Sequence, residues 1–167
     1  MRMLSKSYTY KGKATRVLQM SSDAKHPVAM SVGIDPSYID GEYRMLDVYK
    51  CTQSLSVPWF VVKNLPEHTA SVAMKVLDIT VGFTHWIAWN VGTPEETNGT
   101  NSFGRQNYSA PCPPKDGRTH KYVITAYALR ERPGEFHAPS AVTSVLFDRV
   151  VARYQIGVAS TRLYYGV

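Results

Sequence analysis

Residues 107–129 read NYSAPCPPKDGRTHKYVITAYAL, a proline-rich segment that runs directly into a strand-like segment. Proline fixes the backbone φ angle, so the first part of this stretch is stiff. The second part is rich in β-branched and aromatic residues, which favours a strand. Because side chains alternate along a strand, His120 and Tyr122 lie on one face, which continues into the apolar Ile124. A histidine therefore opens this strand beside a rigid loop.

The rest of the chain shows the same alternation of turns and short apolar segments. Turn dipeptides such as Asn98-Gly99 and Pro133-Gly134 recur along the sequence. Between them lie SVAMKVLDITV (71–81), HWIAWNV (85–91) and STRLYYGV (160–167), which are rich in strand-forming residues. This spacing favours a mainly β protein built as a sandwich of sheets over a parallel α/β fold.

One segment departs from the strand pattern and predicts a helix. Pro139 and Ser140 supply an N-cap to the segment AVTSVLFDRVVARYQ, residues 141–155. Its apolar residues recur on one helical face. The members of that face are Val142, Val145, Leu146, Val150 and Tyr154. We expect this helix to pack on the sandwich.

The domain prediction is a single domain over residues 1–167. Residues 1–30 form an atypical N-terminal segment that holds one or two strands, KSYTYKG (6–12) and KATRVLQM (13–20). The chain has 167 residues, of which 44% are hydrophobic, so it is long enough to bury one sizeable core.

Charge and hydropathy limit the partners. The formal net charge of +6 favours anionic ligands, but the Lys and Arg residues are scattered, so we expect a solvated surface and no nucleic-acid partner. No continuous apolar run is long enough for a transmembrane helix. The first residues lack the apolar core of a secretion signal, and a cytoplasmic location is therefore expected.

The two cysteines, Cys51 and Cys112, are far apart and lack CxxC spacing. In a cytosolic protein we interpret them as buried small apolar residues, with a disulfide between them as the alternative.

Strand parity also singles out three polar residues. Asp78 ends an apolar stripe, and His85 and His120 begin two others. In HWIAWNV, His85 shares a face with Ile87, and Trp86 lies on the other face. An acid and two imidazoles are thus expected to meet at one rim of the sandwich. Taken singly, each is more typical of a hydrogen-bonded strand end or turn.

These segments resemble the phosphatidylethanolamine-binding protein family, which includes the Raf kinase inhibitor proteins and bacterial relatives. The family pattern is HW-x3-N, then FGR-x-GY-x-GPCPP, then H-[RK]-Y. The matching residues are Phe103, Gly104, Arg105, Tyr108, Pro111, Cys112, Pro113, Pro114, His120 and Tyr122. Weaker similarity extends upstream to about residue 33, through Asp40-Gly41-Glu42, Tyr49 and Cys51.

The resemblance implies an antiparallel two-sheet β-sandwich with a shallow anion-binding pocket. The ligand-binding residues that it implies are Asp78, His85, Pro113, Pro114, His120 and Tyr122, supported by Tyr108, Pro111, Cys112 and Trp86. The family's DPDxP motif is DITVG here, which keeps Asp78 but places Ile79, Thr80 and Gly82 at the other positions. We therefore expect a looser or differently tuned pocket.

The function that the resemblance implies is binding of phosphate or phosphoethanolamine-type headgroups. It also implies regulation of a protein partner such as a kinase or protease, and peripheral membrane contact. We expect no cofactor, no metal and no enzymatic activity, and a homodimer is one option for the oligomeric state. One alternative is an interaction protein that does not use its pocket. The other is a hydrolase or metal enzyme that uses Asp78, His85 and His120 near Ser109, although no nucleophile elbow or HxH pair supports it.

Overall fold

A computed structural model describes residues 17–20, 29–51 and 60–166, with residues 17–20 described as backbone. The strands are β1 (Val17–Met20), β2 (Ser31–Ile34), β3 (Phe60–Leu65), β4 (Ser71–Asp78), β5 (Phe83–Trp89), β6 (Thr97–Asn98), β7 (Thr119–Leu129) and β8 (Gln155–Gly166), and α1 spans Ser144–Tyr154. β1 lies within one of the two predicted N-terminal strands. The other, at residues 6–12, lies outside the described residues.

The strands form two sheets. The larger has the order β6-β5-β4-β7-β8 and is antiparallel at every pairing. The smaller has the order β1-β3-β2, in which β2 is antiparallel to β3 and β1 is parallel to it. The prediction of a mainly β, two-sheet sandwich with one helix near the C-terminus is confirmed. The parallel β1 is the one departure from an antiparallel pattern among the described strands.

The main core lies between the two sheets. Val72, Met74 and Val76 alternate along β4 and pack in one cluster with Phe60 and Val62 of β3. Burying these faces removes apolar surface from water, which is the main favourable contribution to folding. The parity predicted for β4, which extends the same stripe to Asp78, therefore matches the structure.

A second core covers the opposite face of the larger sheet. Ile87 and Trp89 of β5 pack there against Phe147, Val150 and Val151 of α1. The spacing of the three helical residues places them on one face of the helix. The larger sheet is therefore a middle layer between the smaller sheet and the helix.

The helix differs from its prediction at its start and on its face. It begins at Ser144 after Thr143, and Pro139–Ala141 form a separate 3-10 turn, so the predicted cap at Ser140 is wrong. Val145 is 69% exposed, although the prediction placed it on the buried face. The fully buried member is instead Phe147.

No helix of the described residues is long and apolar enough to cross a membrane.

The interpretation of the cysteines as buried apolar residues is wrong. Cys51 and Cys112 form a disulfide with a Cα–Cα distance of 4.6 Å, and both residues are exposed. The backbone N–H of Cys51 also donates to the carbonyl of Pro111 at 3.0 Å. The proline loop is thus fixed to a segment 61 residues earlier in the chain.

Candidate anion-binding site

One end of the sandwich carries a cavity of about 680 Å³. Its floor comes from the end of β4 and the starts of β5 and β7, and its walls come from the loops around them. All six residues expected to bind ligand line it: Asp78, His85, Pro113, Pro114, His120 and Tyr122. The structure therefore brings these residues together, and their role in binding stays a prediction.

Asp78 and His120 form a buried pair at the floor. Asp78 lies opposite Tyr122 in the β4–β7 register, so both side chains point to the same face. The Oδ2 atom of Asp78 lies 2.6 Å from Nδ1 of His120, and the two side chains are 4% and 2% exposed. The other oxygen, Oδ1, accepts a hydrogen bond from the backbone N–H of Thr80 at 2.9 Å.

This pairing fixes how His120 is presented. An acceptor at Nδ1 sets the orientation of the ring and leaves Nε2 for another partner. Nε2 of His120 is buried and has no hydrogen-bond partner among the described residues. Buried polar atoms are normally paired, so this nitrogen is available to a water or to a ligand atom in the cavity.

His85 reaches the cavity because of a β-bulge. The β4–β5 register passes from Val76↔Trp86 to Leu77↔Thr84, which leaves His85 as the extra residue of β5. A bulge rotates the following side chains relative to simple alternation. The ring of His85 therefore lies 5.3 Å from that of Tyr122 in the cavity, and the predicted shared face of His85 and Ile87 is wrong.

The environment of His85 favours its neutral form. Nδ1 donates to the carbonyl of Ser109 at 2.8 Å, and the N–H of Ser109 donates back to the carbonyl of His85 at 3.0 Å. Burial lowers the pKa of His85 below its ordinary value. Because Nδ1 carries the proton, Nε2 of the neutral ring is an acceptor. Donation from His85 to an anion through Nε2 thus requires the ring to be protonated.

Comparison with known proteins gives the family. Residues 36–166 match the family model described as phosphatidylethanolamine-binding protein. The chain belongs to the phosphatidylethanolamine-binding protein family.

Relatives and solved structures agree with this membership. A UPF0098 protein of Pyrococcus horikoshii is 33% identical over 101 residues, which is 48% of this chain and 51% of that protein. A UPF0098 protein of Aquifex aeolicus is 31% identical over 111 residues, covering 56% of this chain and 64% of the relative. The chain therefore spans about half to two thirds of the length of these relatives.

Two crystal structures share the fold. Escherichia coli YbcL, described as a new member of the mammalian PEBP family, has a TM-score of 0.68 at 20% identity and covers 84% of this chain and 99% of its own. CT736 of Chlamydia trachomatis, described as a putative PEBP homolog, has a TM-score of 0.63 at 23% identity over 83% of this chain and 98% of its own.

The two tyrosines that line the cavity of this family member remain protonated. Tyr122 is 1% exposed and Tyr108 is 5% exposed, and both line the cavity. Burial raises the pKa of each phenol above its ordinary value. Both hydroxyls therefore remain uncharged donors at neutral pH, which suits contact with an anion.

The altered DITVG motif forms an ordered turn between β4 and β5. Gly82 has a φ of 71°, a left-handed conformation that suits glycine better than proline. Thr80 Oγ1 accepts from the backbone N–H of Lys121 at 2.9 Å, which joins the turn to β7. The turn also presents Val81, 52% exposed, at the cavity. Hydrogen bonds therefore hold this turn in place, and Val81 gives it an apolar surface toward the cavity. A looser or differently tuned pocket stays a prediction.

A second apolar wall was not predicted as part of the site. The ring of Phe103 lies 4.7 Å from that of Phe83, and both line the cavity. The buried Asn101 holds this loop, because its Oδ1 accepts from the backbone N–H groups of Phe103 and Arg105 at 2.9 and 3.1 Å. The FGR match to the family pattern was the sequence signal for this wall.

The four supporting residues divide into two pairs. Tyr108 and Cys112 line the cavity. Trp86 lies in the main core, where its indole N–H donates to Asn98 Oδ1 at 2.9 Å, and Pro111 contributes through its carbonyl bond to the disulfide segment. Within the described part of the chain, no group of three His, Cys, Asp or Glu residues is arranged to hold a metal ion.

Proposed function

We propose that this chain binds small ligands that carry phosphate or a similar oxyanion. The observation that carries the proposal is the buried, unpaired Nε2 of His120, which is oriented by Asp78 at the floor of the cavity. The protonated hydroxyl of Tyr122 adds a second donor close by. Because Nδ1 is paired with Asp78, Nε2 of His120 donates only from the imidazolium form of the ring. A charge-assisted hydrogen bond from an imidazolium to an oxyanion is stronger than a bond between neutral groups.

The size and walls of the cavity support a ligand larger than inorganic phosphate. A volume of about 680 Å³ is typical of sites for small organic molecules. Val81, Phe83 and Phe103 provide an apolar wall facing the polar floor. This combination favours a headgroup-like ligand such as phosphoethanolamine, in which a phosphate is joined to an organic group.

Titration of phosphoethanolamine into protein labelled with ¹⁵N at histidine tests this proposal. We expect the imidazole signals of His85 and His120 to move, and His120→Gln to weaken binding by at least about tenfold. The matched control is His68→Gln, because His68 has an 86% exposed side chain in the β3–β4 turn, at the other end of β4 from Asp78. Cavity signals that stay in place at millimolar ligand contradict the proposal.

Ligand binding without turnover is the second part of the proposal. We expect no hydrolysis in a screen of esterase and phosphatase substrates, and turnover that is lost in His120→Gln would contradict this. We also propose that the occupied site regulates a protein partner, such as a kinase or protease. If a partner binds the His85→Gln, His120→Gln double variant as well as the unaltered chain, the partner surface does not depend on the cavity.

The disulfide is relevant to the cellular compartment in which we expect the protein. Exposed structural disulfides are typical of oxidising compartments and uncommon in the cytosol. The Cys51–Cys112 bond therefore weighs against the expected cytoplasmic location. Alkylation of intact cells with a thiol reagent followed by mass measurement tests this, because two alkylated cysteines would support the cytosol and an intact bond would oppose it.

A further inference from the structure

A second carboxylate lies beside the unpaired nitrogen of His120. Oδ2 of Asp116 is 3.8 Å from Nε2, which is too long for a hydrogen bond but close enough for an electrostatic interaction. Asp78 lies on the other side of the ring, at Nδ1. The ring nitrogen that Asp78 leaves for a ligand, which donates when the ring is an imidazolium, is therefore next to a negative charge that belongs to the chain.

Asp116 is held in this position by its own turn. Its N–H donates to the carbonyl of Pro114 at 2.8 Å. Its Oδ1 accepts from the backbone N–H of Arg118 at 2.9 Å, and its Oδ2 accepts from Nε of Arg118 at 2.7 Å. The backbone hydrogen bond from Arg118 is the main cause of a lowered pKa, so Asp116 is ionised at neutral pH.

We propose that Asp116 determines ligand specificity at the proposed anion site. Its carboxylate opposes an anionic oxygen that approaches Nε2 of His120, and it attracts a positive group of the same ligand. The site consequently disfavours simple dianions and favours ligands that carry an ammonium or similar cation near the phosphate. This inference rests on the proposed function and adds a residue that the family pattern does not include.

The distance between Asp116 and His120 sets the scale of the effect of Asp116 on ligand affinity. A ligand oxygen that hydrogen-bonds to Nε2 lies at most about 7 Å from Oδ2 of Asp116, whatever its direction of approach. At that separation, the repulsion between two unit charges reduces affinity by about threefold if the dielectric constant is that of water. The reduction is about fiftyfold at the lower dielectric constant near a protein surface. Arg118 offsets part of the charge, so we expect about three- to tenfold.

Calorimetric titration of two ligands into three proteins tests the inference. Asp116→Asn keeps the size of the side chain and removes its charge. Glu67→Gln makes the same change in net charge at a 90% exposed side chain beyond the other end of β4. We expect Asp116→Asn to bind inorganic phosphate about three- to tenfold more tightly than the unaltered chain. Its affinity for phosphoethanolamine should stay constant or fall, and Glu67→Gln should change neither.

The outcomes separate the inference from the proposed function. Equal phosphate affinity in the unaltered chain and Asp116→Asn, or equal gains for both ligands, overturns the role of Asp116 and leaves the anion site standing. Absence of binding of either ligand to all three proteins overturns the proposed function and this inference together. The ¹⁵N resonance of His120 Nε2 gives a ligand-free check. It should move in Asp116→Asn and not in Glu67→Gln, and an unmoved resonance also overturns the inference.

Discussion

Removing the Cys51–Cys112 cross-link should lower the free energy of unfolding by about 4 kcal/mol. The bond joins residues 61 positions apart, so it closes a long loop in the unfolded chain. In the chain-entropy description, a loop of that length removes enough disorder from the unfolded state to give about 4 kcal/mol at room temperature. This is a large share of the stability of a domain, which is typically about 5–15 kcal/mol.

Urea denaturation followed by tryptophan fluorescence measures this effect. The comparison is between the oxidised chain and the double variant Cys51→Ser, Cys112→Ser. We expect a lower unfolding midpoint and a steeper dependence on urea for the variant, because its unfolded state is more expanded and exposes more surface.

Reduction provides the matched control. A dithiol reductant should bring the unaltered chain to the midpoint of the double variant and leave the variant unchanged. Agreement of the oxidised chain and the variant within about 1 kcal/mol would refute the reasoning, because the loop would then impose no constraint on the unfolded state.

Three further predictions concern the second core, a close contact and the cavity. Phe147→Ala should cost about 3–5 kcal/mol in urea unfolding, because it empties a fully buried ring position, and Phe147→Leu should cost less. Gly99→Ala should cost about 1–3 kcal/mol, because its Cβ would lie 2.7 Å from the backbone oxygen of Val142, and Gly134→Ala, with nothing within 4 Å, should be nearly neutral by the same assay. Sulfate should bind more tightly by calorimetry as the pH falls below about 6.5, because burial lowers the pKa of His85 and only the imidazolium donates through its free nitrogen.

Each of these has a contradicting result. A Phe147→Ala variant as stable as the unaltered chain would mean that the helix contributes little to the second core. Equal costs for the Gly99 and Gly134 substitutions would remove the steric argument. Sulfate affinity that is flat with pH, or a pH dependence that is the same in His85→Gln as in the unaltered chain, would refute the role of His85. The lowered pKa also means that the folded chain binds fewer protons than the unfolded chain, so stability should fall as the pH drops below about 6.5.

The sequence predicts the parts of the site that depend on regular alternation. The faces of Asp78, His120 and Tyr122 follow from counting along β4 and β7, because these two strands pair without a break in register from Ser71 to Asp78. The turn signals and the spacing of the strands likewise predicted the β-sandwich fold. The family resemblance then added the prolines of the loop to the predicted site. Periodicity cannot do this, because it does not show that a loop residue lines a cavity.

The sequence fails where tertiary contacts override local periodicity. A bulge at His85 depends on the fit of β5 against β4, and nothing in HWIAWNV marks the extra residue. The exposure of Val145 and the burial of Phe147 depend on which face of the helix meets the sheet. The pairing of the two cysteines requires that segments far apart in sequence come within bonding distance, which only the folded chain establishes.

The three-layer arrangement has a consequence for how this chain tolerates change. The cavity opens from the inner face of the larger sheet, and the helix packs on the outer face. Substitutions at distant, unconnected positions usually add in their effects on stability. Better packing beneath the helix should therefore offset the loss of stability caused by substitutions in the lining of the cavity. The helix layer thus allows the residues that line the cavity to vary at little cost to the stability of the whole chain.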